Sequence, residues 1–234
     1  MTMKYVVNKD GKYDLIDSTP VYDDNYGRGY IGFCYNPTSF VSKAIAKATK
    51  YCNYSGISVT HALVVYDKDY CIETHPNLSK VSKQPLSKYF DDPNMVISFR
   101  KPRELNPKIA DEIAILAESK LGCRYEYAEL LGHLGKSLPG INWFNRITNN
   151  FIVDIISHFI DNPNKFICSE LCAYSLKHAQ SWSYRNKGIL SRFTTRVNPQ
   201  VLFEDREIFS DWTLKVVPSD YPSFTQKQTI LNGN

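Results

Sequence analysis

The longest run of apolar positions without helical spacing is Val59 to Tyr66, VTHALVVY. It is apolar on both faces and rich in β-branched residues, which predicts a central strand buried from both sides. Asp67-Lys68-Asp69 then reads as a turn, and Tyr70 to Thr74 (YCIET) as the partner strand of a hairpin. Tyr30 to Cys34 and Met95 to Arg100 (MVISFR) have the length and composition of two further strands, and Trp212 to Val217 (WTLKVV) of a last one. Helical spacing appears between these runs. In SFVSKAIAKATKYC, residues 39–52, Phe40, Ala44 or Ile45 and Ala48 fall along one face. Asn106-Pro107 is an N-cap followed by proline at the first helical position, and Ile109, Ile113, Leu116 and Lys120 follow until Gly122 stops the helix. Cys168 to Ala179 (CSELCAYSLKHA) predicts another helix.

Two regions lie outside this pattern. Residues 1–28 are polar and Tyr-rich with no clear period, and are expected to be an N-terminal extension. Residues 127–164 read as a largely helical insertion, with Phe151, Ile152, Ile155, Ile156 and Phe159 in one apolar stripe that is expected to pack on the domain rather than on lipid. The tail, 218–234, is polar and expected to be loose. No internal repeat is evident. Strands and helices in this order predict an α+β fold, with helices packed on a mostly antiparallel sheet over 29–217.

Composition narrows the function classes. The chain has 234 residues, 43% apolar and 22% charged, which is enough to bury a real core. No apolar stretch approaches the ~18 residues of a membrane span. The first residues lack a basic segment followed by an apolar one, so no secretory signal is expected and the expected setting is cytoplasmic. A net charge of +4 without a dense Lys/Arg block gives no argument for nucleic acid, and there is no Gly-rich phosphate loop. The six cysteines contain no CxxC pair; they are expected to be mostly reduced, with no structural zinc, no other metal and no cofactor.

Cysteine chemistry is the candidate that remains. Cys168 opens a helix, where the dipole favours a thiolate and the free first-turn N–H groups can hold an oxyanion. The plainer reading is a buried structural thiol, which is how Cys172, one turn further in, is read. His61 sits within the apolar strand and, by period-two counting, faces the same way as Val59, Leu63 and Val65. It is either a core histidine or a general base on a rigid strand. Glu73 comes near it across the predicted hairpin and would orient the ring; otherwise it is a surface charge, with Thr74 and His75 as substitutes. Ser169 and Glu170 are expected to stabilise the helix start. Asp154 and His158, four apart, form a solvated face, since no third ligand accompanies them.

Four segments taken together carry a resemblance. They are Ser58-Val59-Thr60-His61-Ala62-Leu63, Ile72-Glu73, Leu121-Gly122-Cys123-Arg124-Tyr125 and Phe166-Ile167-Cys168-Ser169-Glu170-Leu171. Their order resembles the circularly permuted branch of the NlpC-type papain-like hydrolases, the YiiX/YaeF-like amidases, over roughly residues 28–217. Gly29-Tyr30 replaces that family's usual Gly-Asp pair, Thr60 stands where serine is common, and 127–164 is longer than expected. The resemblance implies a papain-like fold with Cys168 as nucleophile, His61 as base, Glu73 as orienting acid and Tyr125 lining the substrate site. It implies a cysteine amidase or peptidase acting on a cell-wall-type peptide or related amide. The alternatives are a thiol acyltransferase or lipase acting on lipid acyl groups, and a catalytically silent binding module of the same fold.

Overall fold

The computed structural model describes residues 4–9, 12–17, 20–39, 57–74, 80–92, 94–123, 168–191, 197–210 and 214–217, with a few positions between 42 and 49. In chain order the elements are β1 (Lys4–Lys9), β2 (Lys12–Asp17), β3 (Ile31–Tyr35), β4 (His61–Val65), β5 (Tyr70–Thr74), β6 (Val81–Pro85), α1 (Ser87–Phe90), β7 (Val96–Arg100), α2 (Pro107–Glu118), α3 (Cys168–His178), α4 (Pro199–Glu204) and β8 (Leu214–Val217). The strands form one sheet in the order β2-β1-β8-β7-β3-β4-β5-β6. Every pairing in it is antiparallel. The fold is α+β, with helices packed on that sheet.

β4 is apolar on both faces because it has a core on each side. Ala62 and Val64 pack with Ile31, Phe33 and Ile72 against Ile109, Ile113 and Ala117 of α2 and Leu171, Cys172 and Leu176 of α3. Leu63 and Val65 point the other way, into a second core with Cys34, Cys71, Leu86, Tyr89, Ile97 and Phe99. Tyr26 belongs to this second core, and its hydroxyl donates to Lys68 O at 2.8 Å, so ordered packing begins ahead of residue 29. Val59 packs in the first core, unlike Leu63 and Val65. The strict alternation expected from residue 59 starts only at His61, where β4 itself begins.

α2 forms as its sequence predicts. The Asn106 side chain accepts from Ile109 N at 3.1 Å, Pro107 opens the first turn, and Gly122 lies beyond the end with φ of +85°. Five elements were not evident in the sequence: β1, β2, β6, α1 and α4. β1 and β2 make an antiparallel pair with Lys9 opposite Lys12, and β1 adds to β8. β6 covers β5 with Glu73 opposite Ser82, ending at Pro85 on the sheet edge, where a missing N–H costs nothing. α1 follows at once, tied down by Leu86 N donating to Asp69 O at 2.8 Å. Of the helix expected over 39–52, positions 42, 43, 45 and 46 are helical, and the rest lies mostly outside the described residues. The 127–164 insertion, Trp212 and the tail also lie outside them. Among the described residues no helix is long and apolar enough to cross a membrane.

Candidate functional site

His61 is the first residue of β4, not a residue in its middle. Its backbone is fixed from both directions. Within the sheet it lies opposite Cys34, and Thr60 N donates to Cys34 O at 2.8 Å. Ahead of the strand, the buried Gln200 amide of α4 accepts from Val59 N and donates to Ile57 O, both at 2.9 Å. A side-chain amide thus takes the place of a neighbouring strand for the run-up to His61.

Glu73 reaches His61 along the β4–β5 ladder. Val64 lies opposite Ile72, so the next position along sets Glu73 beside Leu63, two residues from His61 and within reach of a long side chain. Glu73 is not a surface charge: β6 flanks its strand, α1 caps its face, and it has no exposed area. Among the described residues three donors converge on it. Glu73 Oε2 is bonded to His61 Nε2 and accepts from the Tyr89 hydroxyl, while Oε1 accepts from Lys88 Nζ. The Tyr89 ring lies nearly parallel to the imidazole, with centroids 6.4 Å apart.

Cys168 is the first residue of α3, is buried, and shares a hydrogen bond with His61. Glu73 occupies Nε2 of the ring, which leaves Nδ1 to the sulfur. The imidazole is therefore held between a thiol and a carboxylate, with little freedom to rotate.

The electrostatics follow from this arrangement. Burial pushes the Glu73 carboxyl up, but the hydrogen bond and charge of His61, with those of Lys88, outweigh it and hold the group at about 2. Burial pushes His61 down, yet the charge and hydrogen bond of Cys168, then those of Glu73, outweigh it and push the ring up to about 10. Both shifts favour an imidazolium paired with the ionised Glu73 carboxylate. Cys34, Cys71 and Cys172 contrast with this. Burial pushes each of their thiols well up, and the nearby Glu73 charge adds to it. Cys172 is core, as expected.

The structure brings together three of the residues singled out in the sequence: Cys168, His61 and Glu73. Thr74 is buried but alternates onto the Ile72 face, away from the Glu73 carboxylate, and so does not substitute for it. Ser169 does not cap its own helix; its hydroxyl donates to Val197 O and ties α3 to the segment ahead of α4. Tyr125, His75, Asp154 and His158 lie outside the described residues. Among the described residues no group of three or more His, Cys, Asp or Glu is placed to hold a metal ion. Lys88 and Tyr89 were missed in the sequence. They sit in a four-residue helix too short to show a period, and only the packing of α1 on β5 brings them to Glu73.

The chain matches no family model and no curated protein. Among solved structures it is similar to the metalloprotein yiiX from Escherichia coli O157:H7, with 18% sequence identity over 83% of this chain and 98% of that one, at a TM-score of 0.47.

Proposed function

We propose that this chain is a cysteine hydrolase that cleaves an amide bond. The observation that carries the reading is the single imidazole bonded on one side to a helix-start thiol and on the other to a buried carboxylate held ionised. That is the geometry in which a thiol becomes a nucleophile and its base keeps one orientation. The order of the four sequence segments supports the same reading.

In this reaction Cys168 Sγ, its proton on His61, attacks the substrate carbonyl carbon and the carbonyl π electrons move to oxygen. The main-chain N–H of Cys168, at the open first turn of α3, helps hold that oxyanion. Collapse breaks the C–N bond, and the His61 imidazolium gives its proton to the departing amine. Neutral His61 then takes a proton from water as the water attacks the thioester; collapse releases the acid and returns Cys168. Glu73 orients the ring and balances its charge without taking the proton. Tyr125 lines the substrate side. No cofactor enters these steps, and the amide is a cell-wall-type peptide or a related one.

A turnover assay with cell-wall-type peptides beside phospholipids, using Cys168→Ala as the blank, tests this. Peptide cleavage that disappears in Cys168→Ala is the expected result. Cys168-dependent release of fatty acid with no peptide cleavage identifies an acyl-lipid enzyme instead. Loss of neither activity in Cys168→Ala overturns the assignment of the nucleophile.

A further inference from the structure

Glu73 is held more elaborately than an orienting carboxylate needs to be. One hydrogen bond to His61 fixes the ring, yet α1 brings two further donors to the same carboxylate. One of them carries a full charge. Lys88, Glu73, His61 and Cys168 form a chain of contacts in which a cation, an anion and an imidazole lead to the thiol. Without Lys88, a fully buried carboxylate would face the imidazole with its whole charge. Such a carboxylate binds the ring proton harder and opposes a second negative charge on sulfur.

We propose that Lys88 and Tyr89 are positioning residues that draw charge away from Glu73 and so set the pH range over which the Cys168–His61 pair is reactive. This rests on the pairing of Cys168 with His61 argued under Proposed function. Lys88 acts through charge: its ammonium contacts Oε1, the oxygen His61 does not use. Tyr89 acts through geometry and a neutral hydrogen bond. Its hydroxyl shares Oε2 with His61 Nε2, and its ring lies along the imidazole. The other groups around the carboxylate do not compete for this role. Cys34 from β3 and Cys71 from β5 also face it, but burial pushes both thiols well up and keeps them uncharged. Tyr89 itself is pushed well up by burial and remains a neutral donor. Cys168 is the group that faces the imidazole from α3. Lys88 is the one cation that contacts Glu73 from a side chain other than His61 among the described residues.

The test needs no identified substrate. The rate of iodoacetamide alkylation at Cys168, located by mass mapping, is followed against pH in the full chain for the parent protein, Lys88→Met, Lys88→Arg, Tyr89→Phe and His61→Ala. Thermal melts of each confirm folding. Lys88→Met is expected to move the limbs of the profile to higher pH by ~0.5–1 unit, the size of one charge lost several ångströms away in a partly screened site. Lys88→Arg keeps the charge and is expected to return them. Tyr89→Phe keeps the ring, loses the hydroxyl and is expected to shift the limbs less, in the same direction. A structural role would lower the melting temperature without moving the limbs. A folded Lys88→Met whose profile overlays the parent overturns the inference and leaves the Cys168–His61 pairing standing. If Lys88→Met fails to fold, Tyr89→Phe decides: limbs that stay in place overturn the inference. A His61→Ala profile identical to the parent overturns the pairing itself, and this inference with it.

Discussion

At Glu73 a carboxylate with no exposed surface stays charged, and the consequence is a pH-dependent stability. Its folded value, about 2, lies below the ~4.3 of a free glutamate, so its contribution is full above the ordinary value and is lost as pH falls toward 2. His61 runs the other way. Its folded value, about 10, lies above the ~6.5 of a free histidine, so its contribution is full below that value and is lost as pH rises toward 10. Both shifts draw on the same Glu73–His61 contact, which is therefore counted once. Melting temperature is expected to peak between roughly pH 4.5 and 6.5 and fall on either side. Glu73→Gln is expected to lower the peak and flatten the acid slope relative to the parent. Melts from pH 2 to 8 check this, and an unchanged acid slope would mean that the carboxylate is not charged in the fold. At this scale the sequence was informative for groups whose position announces a task. Cys168 opens a helix, and His61 interrupts an apolar run. It was silent on Lys88 and Tyr89, which matter through contacts no local pattern encodes.

Elements decide how firmly His61 is held. The β4–β5 hairpin was legible because VTHALVVY and YCIET carry their own turn and their own periodicity. β6 was not, since VSKQP is short, polar and ends in proline; it becomes a strand because β5 offers it an edge. The segment before β4 belongs to no strand and depends on α4. Gln200 satisfies Ile57 O and Val59 N in a buried place, and its amide also donates to Glu204 Oε1 at 2.9 Å. Gln200→Leu keeps the volume and removes all three bonds. Each of the two buried backbone groups left without a partner costs ~1–3 kcal/mol, so a loss of ~2–6 kcal/mol is expected in denaturant unfolding. Alkylation of Cys168 should slow in the same variant, because His61 follows two residues after Val59. A folded Gln200→Leu with unchanged stability would show that the run-up to β4 is held by the sheet alone.

Across the whole molecule, the antiparallel sheet joins two ends with different duties. The fold class was legible because strands apolar on both faces and capped amphipathic helices allow few other arrangements. The extent of the sheet was not. Residues 1–28 are polar and show no sustained alternation, although Asp10-Gly11 between YVVNK and KYDLID is a hairpin signature. The order β2-β1-β8-β7-β3-β4-β5-β6 sets β8, β7 and β3 between that hairpin and the strands carrying His61 and Glu73. Neighbouring strands lie ~4.8 Å apart, so β1 and β4 are separated by roughly 19 Å across the sheet. Among the described pairings, β1 attaches to the rest of the sheet through β8. Tyr26, by contrast, packs in the second core and has to stay. Deletion of residues 1–17 is therefore expected to leave the Cys168 alkylation rate within about twofold of the parent, since interactions so distant rarely couple. The same deletion uncovers the edge of β8, so lower solubility and a lower melting temperature are expected alongside. Rate measurement and a melt on the 18–234 chain separate the two effects. A folded 18–234 chain that has lost Cys168 reactivity would show that the hairpin supports the site through the sheet, and would make the N-terminal strands part of the catalytic unit.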